Sequence, residues 1–550
     1  MKKMLILLSV LLILGYIAPL GVRELFSPDE TRYGEIGREM RVLNDWVVPH
    51  LNGVHYFEKP VMGYWFFAAS QEMFGENAFA VRFPCMIMTL LSAAALFFFS
   101  RRFSAGGSRE ALLTVFAFLL MPLVFGLATT STLDPIFSSF LTLGMILFYC
   151  AVHSSSWKRA GFLFACGAAF GAAFLTKGFL AIVLPGISIF AYLLWSRRFR
   201  EIFLLPWIPL LGFLLISLPW AWEIHRAAPD FWPYFVYDEH IKRFLEKEQH
   251  PEPFYYFIPV LLGGLGYLLF YLPTAVQGFR KTVFKEDFFR YNFCWIVLPF
   301  LFLSASTGKL PTYILPCFAP LAVLFSAGFY KAFIEEKKVA AFNLATQIFG
   351  GAVLLAAVVL AVIQLSNPEW VLFNKAESWK WVAVLIVAVV LAVLLYFASS
   401  EKKVWDKLAY LCMAMIPVLF IYHFIIPERV EARKTVCSLV DKVRPKVGND
   451  VKLIAYRHPF HGVCWGFQRE DVYLYRFGGE LTRGLGFMKR EDRILDIEKT
   501  NEFILENRNK GGVLLFLPNK VYQEDKGKLP KPRWVESNTK DRKGYSAVFF

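Results

Sequence analysis

Long uncharged runs alternate with short basic stretches along this chain, and the runs are long enough to cross a bilayer as helices. Taken in order they predict about thirteen helices, near 4–20, 80–100, 111–127, 135–152, 160–175, 178–196, 202–221, 255–277, 290–305, 312–333, 340–365, 379–399 and 407–426. Two of the intervening segments are long, 21–79 and 222–254. After Pro427 the pattern turns mixed polar: "VKLIAYR", "DVYLYRF" and "GGVLLFLP" predict short strands, and 431–444 and 492–508 predict helices. The expected organisation is a polytopic α-helical membrane domain over 1–427, with amphipathic helices in its loops, followed by a small α/β domain over 428–550. No internal repeat or low-complexity tract interrupts it.

Composition sharpens this picture. The 550-residue chain is 56% hydrophobic, and its mean hydropathy of +0.46 excludes an ordinary soluble enzyme. A net charge of +15 would suit a nucleic-acid binder, but the basic residues fall in alternate loops, such as Arg101/Arg102/Arg109, Arg197/Arg198/Arg200 and Lys402/Lys403/Lys407. That is the positive-inside pattern, so topology accounts for the excess and no nucleic-acid partner is expected. It places the N-terminus inside, and the two long loops and the C-terminal domain outside. Lys2 and Lys3 before the first apolar run raise the question of a cleaved signal peptide; the exit "GYIAPLG" lacks a good A-x-A site, so an uncleaved anchor is expected. Six of the eight cysteines fall in predicted helices; Cys437 and Cys464, in the outside tail, are the one candidate disulfide pair.

Charge on the outer face is the candidate chemistry. "SPDETRYGEIGREM" follows the first apolar run, and its apolar positions Tyr33, Ile36, Met40 and Leu43 predict a helix lying on the membrane surface. Its Glu30, Glu35, Arg38 and Glu39 are expected to form a solvated face. Asp29, in "SPDE", and Asp134, in "TTSTLDP", compete between helix capping and catalysis. Arg32, Lys59, Lys177, Arg243 and Lys309 gather near predicted outer helix ends, where cations are costly to hold and suited to gripping phosphate oxygens. Asp29 and Asp134 would then position an acceptor, act as a base or stabilise positive charge on a sugar. Glu58 with His240 is a weak candidate for a divalent metal. Together these suggest group transfer from a lipid-linked phosphate.

The stretches "PDETRYGEIGREM", "DWVVPHLNGVHYFEKPVMGYW", "FGENAFAVRFP", "TLDP", "LTKGFLA" and "STGKLPTYILPCFAPLA" resemble the lipid A aminoarabinose transferases. These are undecaprenyl-phosphate-dependent members of the membrane C-fold glycosyltransferases, related to protein O-mannosyltransferases. The resemblance implies inverting transfer of 4-amino-4-deoxy-L-arabinose from undecaprenyl phosphate to lipid A phosphate at the periplasmic face of the bacterial inner membrane. Resistance to polymyxin and cationic peptides would follow. It implies Asp29 as catalytic acid residue, Arg32 and Lys59 as carrier-phosphate contacts, Arg243 as a further one, and Glu58 and His240 as ligands of a metal, zinc above others. Asp134, Lys177, Lys309 and Tyr313 fall in motifs bordering the cavity, and Tyr33 and Tyr56 are taken as further substrate contacts. Two other readings stay open: transfer of a different polyprenyl-linked sugar to a glycolipid or protein, and a lipid or sugar transporter, which would spread its charges through the membrane depth.

Overall fold

The computed structural model describes residues 2–242, 251–279, 284, 286–366, 371–539 and 541–550. Its chain divides into two compact units. One comprises Met1–Pro19, Phe83–Ala361 and Ala383–Tyr422; the other comprises Leu20–Arg82, Val362–Val382 and His423–Phe550. The expected boundary after residue 427 lies close to the last of these divisions, but the second unit also takes in the first long loop.

Among the described residues, nine helices are long and apolar enough to cross a membrane. Two helix pairs are apolar enough together but bent, each a broken span or a re-entrant loop, Gly107–Leu119 with Pro122–Ala128 at 66° and Phe254–Leu265 with Leu268–Gly278 at 99°, and Ile6–Ile17 and Leu180–Trp195 are shorter apolar helices. Every apolar segment expected from the sequence has its counterpart here. The bends have local causes. Pro122 cannot donate to a continuing helix, and Gly266 sits at φ +54° with Pro122 so close that a Cβ would lie 2.4 Å from its Cγ. Enclosure differs sharply among the spans: 78% of the apolar window of Leu133–Val152 and of Pro311–Glu335 is buried, against 11% for Val339–Ser366. The two enclosed helices carry Asp134 and Tyr313, while the greasiest ones are left for lipid.

The second unit is built on the helix Asp29–Val42 and a mixed sheet. The sequence Asn52-Gly53 takes positive φ at both residues and closes a hairpin of β1 (His50–Leu51) and β2 (Val54–His55), pairing His50 with His55. The sheet contains β3 (Lys452–Ala455), β4 (Tyr473–Tyr475), β5 (Ile494–Leu495), β6 (Val513–Pro518), β7 (Trp534–Ser537) and β8 (Tyr545–Phe549), in the order β5-β4-β3-β6-β8-β7. β3 runs parallel to β4 and β6, and β8 antiparallel to β6 and β7. Ile454, Tyr475, Leu515 and Val548 form its core with the helix Ile497–Asn507. The three predicted strands are all present; β1, β2, β5, β7 and β8 are additions. The expected helix 431–444 is two short ones, Glu428–Lys434 and Cys437–Val443.

Candidate functional site

The helix Asp29–Val42 is not a surface helix. Ile36 and Met40 are buried as expected, but so are Glu30, Glu35, Arg38 and Glu39, which corrects the solvated face assigned to them. Each buried charge has specific partners, the condition on which burial is tolerable. Glu30 receives the guanidinium of Arg82 (2.7 Å) and that of Arg23 (2.5 Å). Burial alone would raise its carboxyl; the two arginines overcome that and hold it well below the usual range. Glu35 pairs with Arg38 at 2.7 Å, and Arg38 continues to Glu470 at 2.7 Å. Glu39 accepts the backbone N–H groups of Asn52 and Gly53, fastening the hairpin turn. Pairing between helix and sheet elements of one unit replaces solvent.

Asp29 opens this helix but does not cap it: Pro28 occupies the cap, without a side-chain hydrogen bond. Its carboxylate is 53% exposed and accepts from Arg32 Nη1 at 3.2 Å. Arg32 is mostly buried and turns its Nε and Nη2 to Glu480, at 3.3 and 3.0 Å. Tyr56 Oη donates to the same carboxylate at 3.1 Å, and His461 Nε2 is hydrogen-bonded to it as well. Burial would raise the Glu480 carboxyl, but the Arg32 guanidinium, His461 and Tyr56 bring it down to about 2. Burial pushes His461 below the usual imidazole range. Tyr33 stacks on Phe67 with ring centres 5.7 Å apart, and Lys59 Nζ donates to the Glu58 carbonyl at 2.7 Å.

In the other unit, Leu133–Val152 and Ser156–Lys177 are consecutive helices joined by a short turn, packed side by side over their length. The start of the first is thereby brought to the end of the second. Asp134 accepts from Lys177 Nζ at 2.6 Å, both side chains 9% exposed. The ammonium also lies 4.6 Å from the ring centre of Tyr313. Asp134 is again not a cap, since Thr132 precedes the helix without a side-chain bond. Lys309 Nζ donates to the carbonyls of Glu252 (2.8 Å) and Ser306. Two of its three donors are thus taken by backbone, and burial draws the ammonium below its ordinary range. Its first role is to pin the loop before Pro311.

A family model described as dolichyl-phosphate-mannose-protein mannosyltransferase matches residues 1–235, and one described as the C-terminal domain of the arabinosyl transferase ArnT matches 432–542. An undecaprenyl phosphate-alpha-4-amino-4-deoxy-L-arabinose arabinosyl transferase of Edwardsiella ictaluri is 36% identical over 93% of this chain and 92% of its own. One of Shewanella sediminis is 36% identical over 96% and 95%. This chain belongs to that arabinosyl transferase family. The crystal structure of ArnT from Cupriavidus metallidurans bound to undecaprenyl phosphate shares the fold, with a TM-score of 0.84 at 22% identity over 99% of this chain and 97% of that one; its apo form gives 0.83.

Within this arabinosyl transferase, the structure brings Asp29, Arg32 and Tyr56 together in one cluster and Asp134, Lys177 and Tyr313 in another. Arg243 lies outside the described residues; His240 belongs to the helix Tyr234–Lys242, with its side chain outside them. Among the described residues no three His, Cys, Asp or Glu gather into a group able to hold a metal ion, and Glu58 is half-buried. All eight thiols are free, Cys437 and Cys464 included, so the candidate disulfide is not formed. Burial raises the Cys437 thiol to about 12. Sequence reasoning missed Glu480 and His461. Glu480 stands 448 positions from Arg32, and no spacing rule links residues that only folding brings together.

Proposed function

We propose that this enzyme transfers 4-amino-4-deoxy-L-arabinose from undecaprenyl phosphate to a phosphate of lipid A at the periplasmic face of the inner membrane. Covering a phosphate with an amino sugar lowers the negative charge of the outer surface and confers resistance to polymyxin and cationic peptides. The observation that carries the reading is the match along almost the whole chain to relatives named for this donor. The geometry supports the division of labour. Arg32 and Lys59, both from the stretch Leu20–Arg82, grip the carrier phosphate, a task suited to a planar fork and a point charge.

The acceptor phosphate, with a second pKa of about 6, is already an effective nucleophile near neutral pH and needs little base assistance. Its oxygen forms a bond to the sugar C1 as the bond from C1 to the carrier oxygen breaks, with inversion, and the electron pair leaves on undecaprenyl phosphate. The exposed Asp29 carboxylate stabilises positive charge on the sugar during that step. Asp134, held by Lys177 in the other unit, is the second candidate carboxylate. Zinc, with Glu58 as a candidate ligand, is a separate proposal. The steps above run without it, and elemental analysis of the purified protein against Glu58→Gln reads it directly.

Lipid A mass spectrometry tests the reading in a transferase-deleted, polymyxin-sensitive Gram-negative host that makes the undecaprenyl-linked sugar. The wild-type gene is expected to add the aminoarabinose mass and Asp29→Asn, verified in the membrane, to add none. A mass increase with the variant would remove Asp29 from the mechanism. No increase with the wild type would point to another sugar or acceptor.

A further inference from the structure

We propose that Glu480 and His461, from the C-terminal part of the chain, are positioning residues that aim the Arg32 guanidinium at the carrier phosphate. This rests on the reading of Arg32 as a phosphate contact and gives the C-terminal domain a part in substrate binding. An arginine has several rotatable bonds, and fixing them costs side-chain entropy on every binding event unless the fork is held beforehand. Glu480 supplies that hold. Its two oxygens take Nε and Nη2 of Arg32, while Asp29 takes Nη1. A guanidinium has five N–H groups, two on each Nη, so this arrangement leaves donors on the fork for phosphate oxygens.

The clamp is itself built to stay in place. Glu480 lies almost buried under three donors, Arg32, Tyr56 Oη at 3.1 Å and His461 Nε2. His461 is 2% exposed and begins, with Phe460, the helix Phe460–Phe467. Its Nδ1 is buried and has no hydrogen-bond partner among the described residues. A proton there would be a buried orphan donor, so the tautomer that fits carries its hydrogen on Nε2 and gives it to Glu480. A neutral imidazole donating to the carboxylate fixes its orientation without competing for the charge of Arg32. Burial, which disfavours the imidazolium, acts in the same direction.

The test uses full-length protein in nanodiscs, with undecaprenyl-linked aminoarabinose as donor and lipid A as acceptor. Glu480→Gln keeps the shape and loses the charge; Glu480→Asp keeps the charge and loses the reach. Both are expected to raise the KM for donor by about tenfold, with a smaller change in kcat, as loss of binding alignment requires. In Arg32→Ala, adding Glu480→Gln should cost less than about twofold more, because a residue that acts through Arg32 has nothing left to aim. Full multiplication of the two single effects would show that Glu480 works independently of Arg32 and overturn the proposal. So would a donor KM within about twofold of wild type in Glu480→Asp, which would reduce Glu480 to charge balance. Absence of transfer by the wild type would remove the functional reading and the inference together. Wild-type transfer with an unaltered Glu480→Gln would remove the inference alone.

Discussion

At the scale of single residues, the surprise is how much charge this protein buries, held by ion pairs as at Glu30 and Asp134 or by backbone groups as at Glu39 and Lys309. The Asp134–Lys177 contact is the plainest case. Removing one member of a buried pair leaves the other uncompensated and typically costs about 3–5 kcal/mol. Lys177→Met is therefore expected to lower the thermal midpoint in detergent strongly, and Asp134→Asn on top of it to recover part of the loss, as read by fluorescence unfolding. The Glu480 cluster adds a pH dependence of known sign. Its carboxyl falls from the ordinary 4.5 to about 2 on folding. As pH drops, the unfolded chain takes up that proton first. The stabilisation is complete above about pH 4.5 and is lost as pH falls towards 2. Unfolding midpoints measured from pH 7 down to 3 should show a steeper decline in wild type than in Glu480→Gln.

At the scale of elements, helices were the legible part and their ends were not. A run of apolar residues long enough to span hydrocarbon must satisfy its backbone internally, which leaves it little choice but a helix. Breaks within a span depend instead on close approach. Gly266 lies at φ +54°, where a Cβ would also meet Pro122 at 2.4 Å, whereas a Cβ on neighbouring Gly263 meets nothing within 4 Å. Gly266→Ala combines left-handed strain with overpacking, a cost of about 2–4 kcal/mol. It is expected to reduce the yield of monodisperse protein on size exclusion, while Gly263→Ala behaves as wild type. The hairpin at Asn52-Gly53 had a local signal, the dipeptide itself, hidden within a loop whose flanks alternate too briefly to read as strands. The reading of Asp29–Val42 as a surface helix failed for a different reason. Periodicity located Ile36 and Met40 correctly, yet a helix contacted on several sides buries its charged face too, and nothing in its own sequence names the partners.

At the scale of the whole molecule, one compact unit is assembled from distant parts of the chain, the first long loop and the C-terminal residues among them. Within it, Arg38 reaches Glu470, Asn52 bonds the backbone of Val472, and Arg32 reaches Glu480. A chain ending at Tyr422 would leave Arg32, Arg38 and Asn52 without those neighbours. Fragment 1–422 is expected to be missing from detergent-extracted membranes on immunoblots where the full chain is abundant; its normal accumulation would mean the loop holds its shape unaided. The sequence alone determined the membrane class, the run of apolar helices, the small sheet-bearing domain and the short motifs around Asp29, Lys59, Asp134 and Lys177, because hydrophobic length and local residue order are properties of contiguous segments. Tertiary structure alone decided that Asp134 meets Lys177, that neither aspartate is a cap, and that Arg32 is held by Glu480 and His461. Those pairings depend on which distant surfaces fold together, and a buried charge keeps its ionised form only where folding supplies its counter-charge.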